Sequence, residues 1–229
     1  MEHFLDNPAW NALISGNSCL SFGNDRVKYF DNEVSPFAAL SENTGENFLQ
    51  LCALLPQNRP VLFVSPEKIE IPAVWQIRRV IHGVQMVCHT ARTGKESHSG
   101  LIPLTEEHVP QMMELTRLTD PGPFASKTIE FGHYRGVFED GQLVAMAGQR
   151  LHAFNFAEVS AVCTRPGYTG KGYARQLISD QVNRIKAGGE IPFLHSRADN
   201  RRAIGVYESL DFEIRKEVWF YLMVKEEKL

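Results

Sequence analysis

Cysteine is scarce in this sequence. The four that occur, Cys19, Cys52, Cys88 and Cys163, lie far apart, form no CxxC pair and have no histidine beside them at ligand spacing. That pattern gives neither a zinc site nor a disulfide framework, so a reduced, cytoplasmic protein is expected. Long apolar runs are missing too, since none approaches the ~18 residues of a membrane span. The amino terminus, MEHFLDNPAW, carries acidic residues where a secretory signal carries cations. Neither sign of charge dominates: 24 Lys and Arg face 27 Asp and Glu, for a net charge of -3. Bulk attraction to nucleic acid or to an anionic membrane is therefore not expected. No internal repeat or low-complexity segment appears.

What is present is the composition of an ordinary globular chain: 229 residues, 43% hydrophobic and 22% charged, enough for one large domain or two small ones. The polar, glycine-marked stretch TGKESHSG at 93–100 reads as a linker, giving a boundary near residue 95. Before it, NPAWNALIS, a helix over 46–55 capped by Thr44, and the β-rich PVLFVS suggest a smaller α/β region of residues 1–95 without a chemical motif. After it, in residues 96–229, Thr105 caps a helix with Val109, Met112, Met113 and Leu115 inward, although Pro110 removes a donor from its start. HYRGVF, the turn EDG and QLVAMAGQRLHA read as a hairpin, continued by AEVSAVCT. Ala174, Leu177, Ile178, Val182 and Ile185 recur at helical spacing, and Gly188 and Gly189 end that helix. IPFLHS is a buried strand, residues 200–210 a second helix, and FEIRKEVWFYLMV a long final strand.

Between the strand ending in VCT and the helix starting near Ala174 lies RPGYTGKGYA. A strand feeding through glycines into a helix aims unpaired backbone N–H groups at one point, reinforced by the helix dipole, and such a point suits a phosphate. Gly170 and Gly172 leave that backbone uncovered, and Lys171 and Arg175 add positive charge. The same residues also make an ordinary helix-start turn with solvated cations. Two known phosphate loops are excluded: Gly172 follows Lys171 where a P-loop has Ser or Thr, and Arg175 stands where a dinucleotide fingerprint has its third glycine.

Residues 101–224 resemble the GNAT superfamily of N-acetyltransferases. The family signature between strand and helix, Arg or Gln, two residues, Gly, one residue, Gly or Ala, reads TGKGYA here, with Gly172 and Ala174 matching and Thr169 replacing the long polar residue. Farther on, DNRRAIGVYESLDF resembles the second signature through Asn200, Ala203, Tyr207 and Phe212, with Asp211 where glycine is commoner. The first 95 residues match no motif, although glycine N-acyltransferase-like proteins carry an extra domain in that position.

The resemblance implies an α/β (α+β) GNAT fold, a mixed, mostly antiparallel twisted sheet flanked by helices, preceded by the smaller α/β domain. It implies acetyl-CoA as co-substrate, with its pyrophosphate on the backbone of Thr169, Gly170, Lys171, Gly172, Tyr173 and Ala174, near Arg175. The pantetheine arm is then expected along the strand holding Val162 and Thr164. An extended amide-bearing arm can pair with a strand whose neighbour has splayed away, as a missing β-strand would. Acyl transfer to an amine needs a deprotonated nucleophile, a donor for the oxyanion and a proton for the thiolate. Tyr207 has the periodicity of a core tyrosine, and the resemblance makes it the proton donor. Asn200 reads as a helix N-cap and, through the resemblance, as a pantetheine contact. Glu158, by strict alternation on the face of Ser160, Val162 and Thr164, is the expected base; without the resemblance it is a strand-end glutamate in solvent. His133, His152 and His195 read as surface or core residues rather than bases, Arg201 and Arg202 as a solvated face, and Met112 and Met113 as packing. The expected reaction is acetylation of a small-molecule or peptide amine, with residues 116–130 and the N-terminal half shaping the acceptor pocket. A larger acyl group, a silent acyl-CoA-binding regulator and a decayed interaction module are the alternatives. Neither a metal, a nucleic acid nor a membrane is expected as partner.

Overall fold

The computed structural model describes residues 3–90 and 100–225, so the expected linker at 93–100 lies outside the described residues apart from Gly100. Helix α1 (Pro8–Leu13) has proline in its first turn, where the missing N–H leaves no helical bond unmade, and buries Ala9, Ala12 and Leu13. Strands β1 (Ser21–Gly23), β2 (Val27–Phe30) and β3 (Ala38–Leu40) form a small antiparallel sheet. Helix α2 (Gly45–Leu54) starts as expected at Thr44, whose hydroxyl accepts the Asn47 N–H at 3.3 Å. Then come β4 (Val61–Ser65), the expected PVLFVS strand, and β5 (Trp75–Val87).

The second half runs β6 (Ile102–Pro103), α3 (Val109–Thr119), β7 (Arg135–Glu139), β8 (Gln142–Ala153), β9 (Phe156–Thr164), α4 (Tyr173–Ala187), β10 (Ile191–Arg197), α5 (Arg201–Glu208) and β11 (Glu213–Lys225). Thr105 caps a short 3-10 turn, Glu106–His108, that leads into α3, so Pro110 falls in the first turn of the helix and breaks nothing. Helix α4 ends as its glycines demand. Gly189 takes φ +79°, its N–H bonds to the Lys186 carbonyl and the Glu190 N–H to that of Ile185, the paired bonds that close a helix through a left-handed residue.

The large sheet has the order β4-β11-β5-β10-β9-β8-β7-β6. Its pairs are antiparallel except β9 with β10. This is the expected mixed, mostly antiparallel sheet, but the boundary at residue 95 does not divide it. β5, from the N-terminal half, lies between β10 and β11 and pairs with both, and β4 extends the same sheet. The polar stretch near 95 thus marks a connection rather than a separation of two sheets: the second half leaves β10 and β11 each with an edge whose backbone groups β5 satisfies. One face packs Leu13, Phe37, Met112, Leu115, Met146 and Phe193 against α1 and α3. The other packs Met86, Ile178, Val182, Leu194, Ile204 and Tyr207 under α4 and α5.

Candidate active site

Strands β9 and β10 pair only at their starts. Phe156, Ala157 and Glu158 face Ile191, Pro192 and Phe193. Beyond that rung no pairing joins them among the described residues: β10 continues with β5 to Arg197, and β9 continues with β8 to Thr164. The edge of β9 from 159 to 164 is therefore an open row of backbone donors and acceptors, into which an extended amide-bearing chain fits as a strand would. Val162 and Thr164 stand on this edge, half-buried.

β9 is not a regular strand. Between the pairs Gly148 with Ser160 and Met146 with Cys163 it holds one residue more than β8, and Ala161 takes φ +52°. This bulge shifts the alternation. Phe156 shares a face with Ala161 and Cys163, whereas Ala157 and Val159 share the opposite face with Val162. Glu158 thus does not share a face with Val162 and Thr164, as unbroken alternation requires. It points to the α1 and α3 side of the sheet.

The loop after β9 carries three left-handed glycines, Gly167, Gly170 and Gly172, at φ +89°, +85° and +86°. A Cβ at 170 or 172 would meet no protein atom within 4 Å, so glycine is required by the backbone angle and leaves clear space beside it. Gly172 is the N-cap of α4, and the first helical bond of α4 runs from the Gln176 N–H to the Gly172 carbonyl at 3.1 Å. The N–H groups of residues 172–175 are left without intrahelical partners, an anion seat at a helix start. Thr169 is exposed there. The Lys171 ammonium lies 4.7 Å from the Tyr168 ring centroid and 6.0 Å from that of Tyr173, and the Tyr173 hydroxyl donates to Glu139. Arg175 does not reach into the loop: its guanidinium donates to the Ser209 hydroxyl at 2.8 Å and holds α4 to the end of α5.

Asn200 caps α5, accepting the Ala203 N–H at 3.2 Å, as its position predicts. Arg201 and Arg202 are exposed. Tyr207 is buried, with its ring edge-on to Phe212 and its hydroxyl without a hydrogen-bond partner among the described residues. Burial, with the nearby Cys163 thiol adding to it, pushes the phenol up to about 12. It therefore stays protonated across the neutral range.

Glu158 is fully buried and doubly engaged. Arg150 donates Nε to Oε2 at 2.9 Å and Nη2 to Oε1 at 2.6 Å, and the His195 ring nitrogen Nδ1 lies 2.8 Å from Oε1. Burial alone raises the carboxyl, but the Arg150 charge and hydrogen bonds, with the hydrogen bond from His195, outweigh it and hold Glu158 well below the usual carboxylate range. A carboxylate so acidic and so fully bonded is a weak proton acceptor at neutral pH, and it is not the solvated strand-end residue either. His195 is a core residue as expected, but with a partner that sequence spacing does not show, 37 residues away on a parallel strand.

On the same side of the sheet an open cleft of about 520 Å³ is lined by Met113, Glu114, Thr116, Arg117, Asp120 and Phe124, among others. It overlaps the loop expected to shape an acceptor pocket. Met113 is exposed there instead of packing in the core with Met112. The cleft abuts β9, since Glu114 accepts a hydrogen bond from Arg165 at 3.0 Å, just past the strand's end.

Residues 134–220 match the FR47-like protein family. A protein of Novosphingobium aromaticivorans described as a GNAT-family acetyltransferase has a crystal structure that superposes with a TM-score of 0.92 at 37% identity, covering 99% of this chain and all of that one. The N-alpha-acetyltransferase RimI of Mycobacterium tuberculosis is 31% identical over 102 residues, 41% of this chain and 63% of its own length. A GCN5-related N-acetyltransferase of Kribbella flavida shares the fold, with a TM-score of 0.61 at 14% identity. Splayed strands, a glycine-rich helix start and these likenesses agree: the chain belongs to the GNAT family of acetyltransferases. Among the described residues no helix is long and apolar enough to cross a membrane.

Proposed function

We propose that the protein transfers an acetyl group from acetyl-CoA to the primary amine of a small molecule or peptide, in the cytoplasm, where its free cysteines stay reduced. The observation that carries this reading is the parting of β9 from β10 at Glu158 and Phe193, directly upstream of the uncapped, glycine-lined start of α4. The residues present fit the co-substrate. The N–H groups of 169–174 hold a pyrophosphate, and the open edge of β9 at Val162 and Thr164 takes the pantetheine amides. Thr169 is too short to wrap the phosphates, so the backbone and Lys171 carry that duty. Bound acetyl-CoA supplies the acetyl thioester.

Tyr207, buried and protonated, donates to the departing thiolate. The amine enters through the cleft at 113–124, and its proton leaves to solvent, because Glu158 is committed to Arg150 and His195. Most of the rate gain then comes from holding the two reactants together.

The test is an amine panel with acetyl-CoA, reading released thiol. RimI's name specifies an alpha-amine, so peptide N-termini belong in the first panel. Turnover with at least one amine is expected. CoA binding with no turnover on any amine overturns the enzyme reading in favour of an acyl-CoA-binding regulator, and faster turnover with longer acyl-CoAs overturns the acetyl donor. In the same assay Tyr207→Phe keeps the ring and its packing on Phe212 and should lower kcat about 10- to 100-fold with acetyl-CoA affinity nearly intact. A parental kcat in that variant returns Tyr207 to a packing role.

A further inference from the structure

Six side chains form one continuous polar chain through the interior of the sheet. Asp6, just ahead of α1, accepts from Arg215 Nη2 at 2.7 Å, and Arg215 Nη1 donates to Gln85 Oε1 at 2.7 Å. Gln85 Nε2 donates to the Leu5 carbonyl at 2.9 Å and lies 3.1 Å from His195 Nε2. His195 Nδ1 meets Glu158, and Glu158 meets Arg150. The last five members stand on β11, β5, β10, β9 and β8, which are consecutive strands of the sheet.

The donors and acceptors admit one assignment. A guanidinium only donates, so Gln85 must turn its oxygen to Arg215 and its amide N–H groups to Leu5 and His195. His195 Nε2 is then an acceptor, and its one proton sits on Nδ1 and is donated to Glu158. None of the six side chains has a fully buried polar atom left without a partner, which a buried network requires if it is to hold one geometry. The N-terminal half anchors both ends, through Leu5 and Asp6 at one and through the Phe37 ring 4.9 Å under Arg150 at the other.

The position of the His195 bridge is what matters. The last backbone rung between β9 and β10 is Glu158 with Phe193, and His195 reaches back from β10 to Glu158 where the strands begin to part. We propose that Gln85 and His195 are positioning residues for the acetyl-CoA seat: they carry the hold of Asp6 and Arg215 across the sheet to Glu158, and so fix how far β9 stands from β10. This rests on the acetyl-transfer reading, because that gap is where the pantetheine arm lies. It gives Glu158 a geometric role in place of a proton-accepting one, and makes the N-terminal segment part of the catalytic unit.

The test measures CoA affinity by isothermal titration and amide hydrogen exchange of residues 159–164 in the full-length parent, Gln85→Leu, Asp6→Ala and Asp6→Glu. Gln85→Leu should weaken CoA binding about tenfold and speed exchange along the β9 edge, while the thermal transition stays cooperative. Asp6→Ala, at a half-buried site, should do the same to a smaller degree, and Asp6→Glu should restore parental values. If Gln85→Leu does not fold, Asp6→Ala decides. Parental CoA affinity in the folded variants, with the parent binding CoA, overturns this proposal alone. A parent that binds no CoA overturns the acetyl-transfer reading, and this one with it.

Discussion

Gly172→Val should abolish most of the protein's affinity for CoA while leaving the sheet folded. Gly172 takes φ +86°, a region closed to a β-branched residue, although a Cβ there would touch nothing. The loss therefore comes from the backbone, which must rebuild to relieve the strain and turns the N–H groups of the first α4 turn away from their common point. Two charge-assisted hydrogen bonds lost, at about 1.5–3 kcal/mol each, amount to a hundredfold or more in Kd. Gly172→Asn is the informative companion, since asparagine tolerates left-handed backbone and the space beside it is open. It should bind CoA more tightly than the valine variant. Titration with CoA checks both, and unchanged affinity in folded Gly172→Val sinks the assignment of this loop to the pyrophosphate.

That loop was readable from sequence because everything it needs is local: glycines at the positions of positive φ, a β-rich run before them and a helical period after. The capping threonine of α2, the α3 start and the β7–β8 hairpin were readable for the same reason. β5 was not. Its run WQIRRVIHGVQMV is β-rich in Ile77, Val80, Ile81, Val84 and Val87, yet its outer half is largely exposed and breaks the alternation. Its partners lie more than a hundred residues away, on β10 and β11, and no local pattern announces them. The polar break that follows it then passed for a domain border. The side on which Glu158 faces failed on one residue. Strict alternation carries it to Val162 and Thr164, but the bulge at Ala161 inserts a step, and that bulge has no glycine to betray it. His195 and Arg150 could not be joined to Glu158 from spacing, since the contact exists only because β8, β9 and β10 are neighbours. Polar residues set among buried apolar neighbours, Arg150 beside Leu151 and Gln85 between Val84 and Met86, are the trace the cluster leaves in the sequence.

Arg150→Met is expected to give the largest loss of stability of any single change in this region. Methionine fills much of the arginine's volume beside Phe37, so packing is kept and charge is what disappears. Glu158, with none of its surface exposed, then stands ionised in the interior with His195 as its remaining side-chain partner. Breaking a buried pair from one side costs about 3–5 kcal/mol, which at this chain length lowers Tm by roughly 10 °C. The pH dependence carries a sign that a simple packing defect lacks. In the parent, Glu158 titrates below its unfolded value, so its contribution is present above about pH 4.3 and is lost only as pH falls through the lower folded value. In the variant, burial without the Arg150 charge pushes the carboxyl above its unfolded value, so the folded state takes up a proton first and gains stability as pH falls from neutral toward that unfolded value. The gap in Tm between parent and variant should therefore narrow on acidification. Adding Glu158→Gln to Arg150→Met should recover much of the loss at neutral pH, because the amide carries no charge and its oxygen can still accept from His195. Melting curves of the three proteins across the acidic range decide it. A gap that stays constant with pH, or a double variant no more stable than Arg150→Met, means that the guanidinium acts by filling space and not by neutralising Glu158.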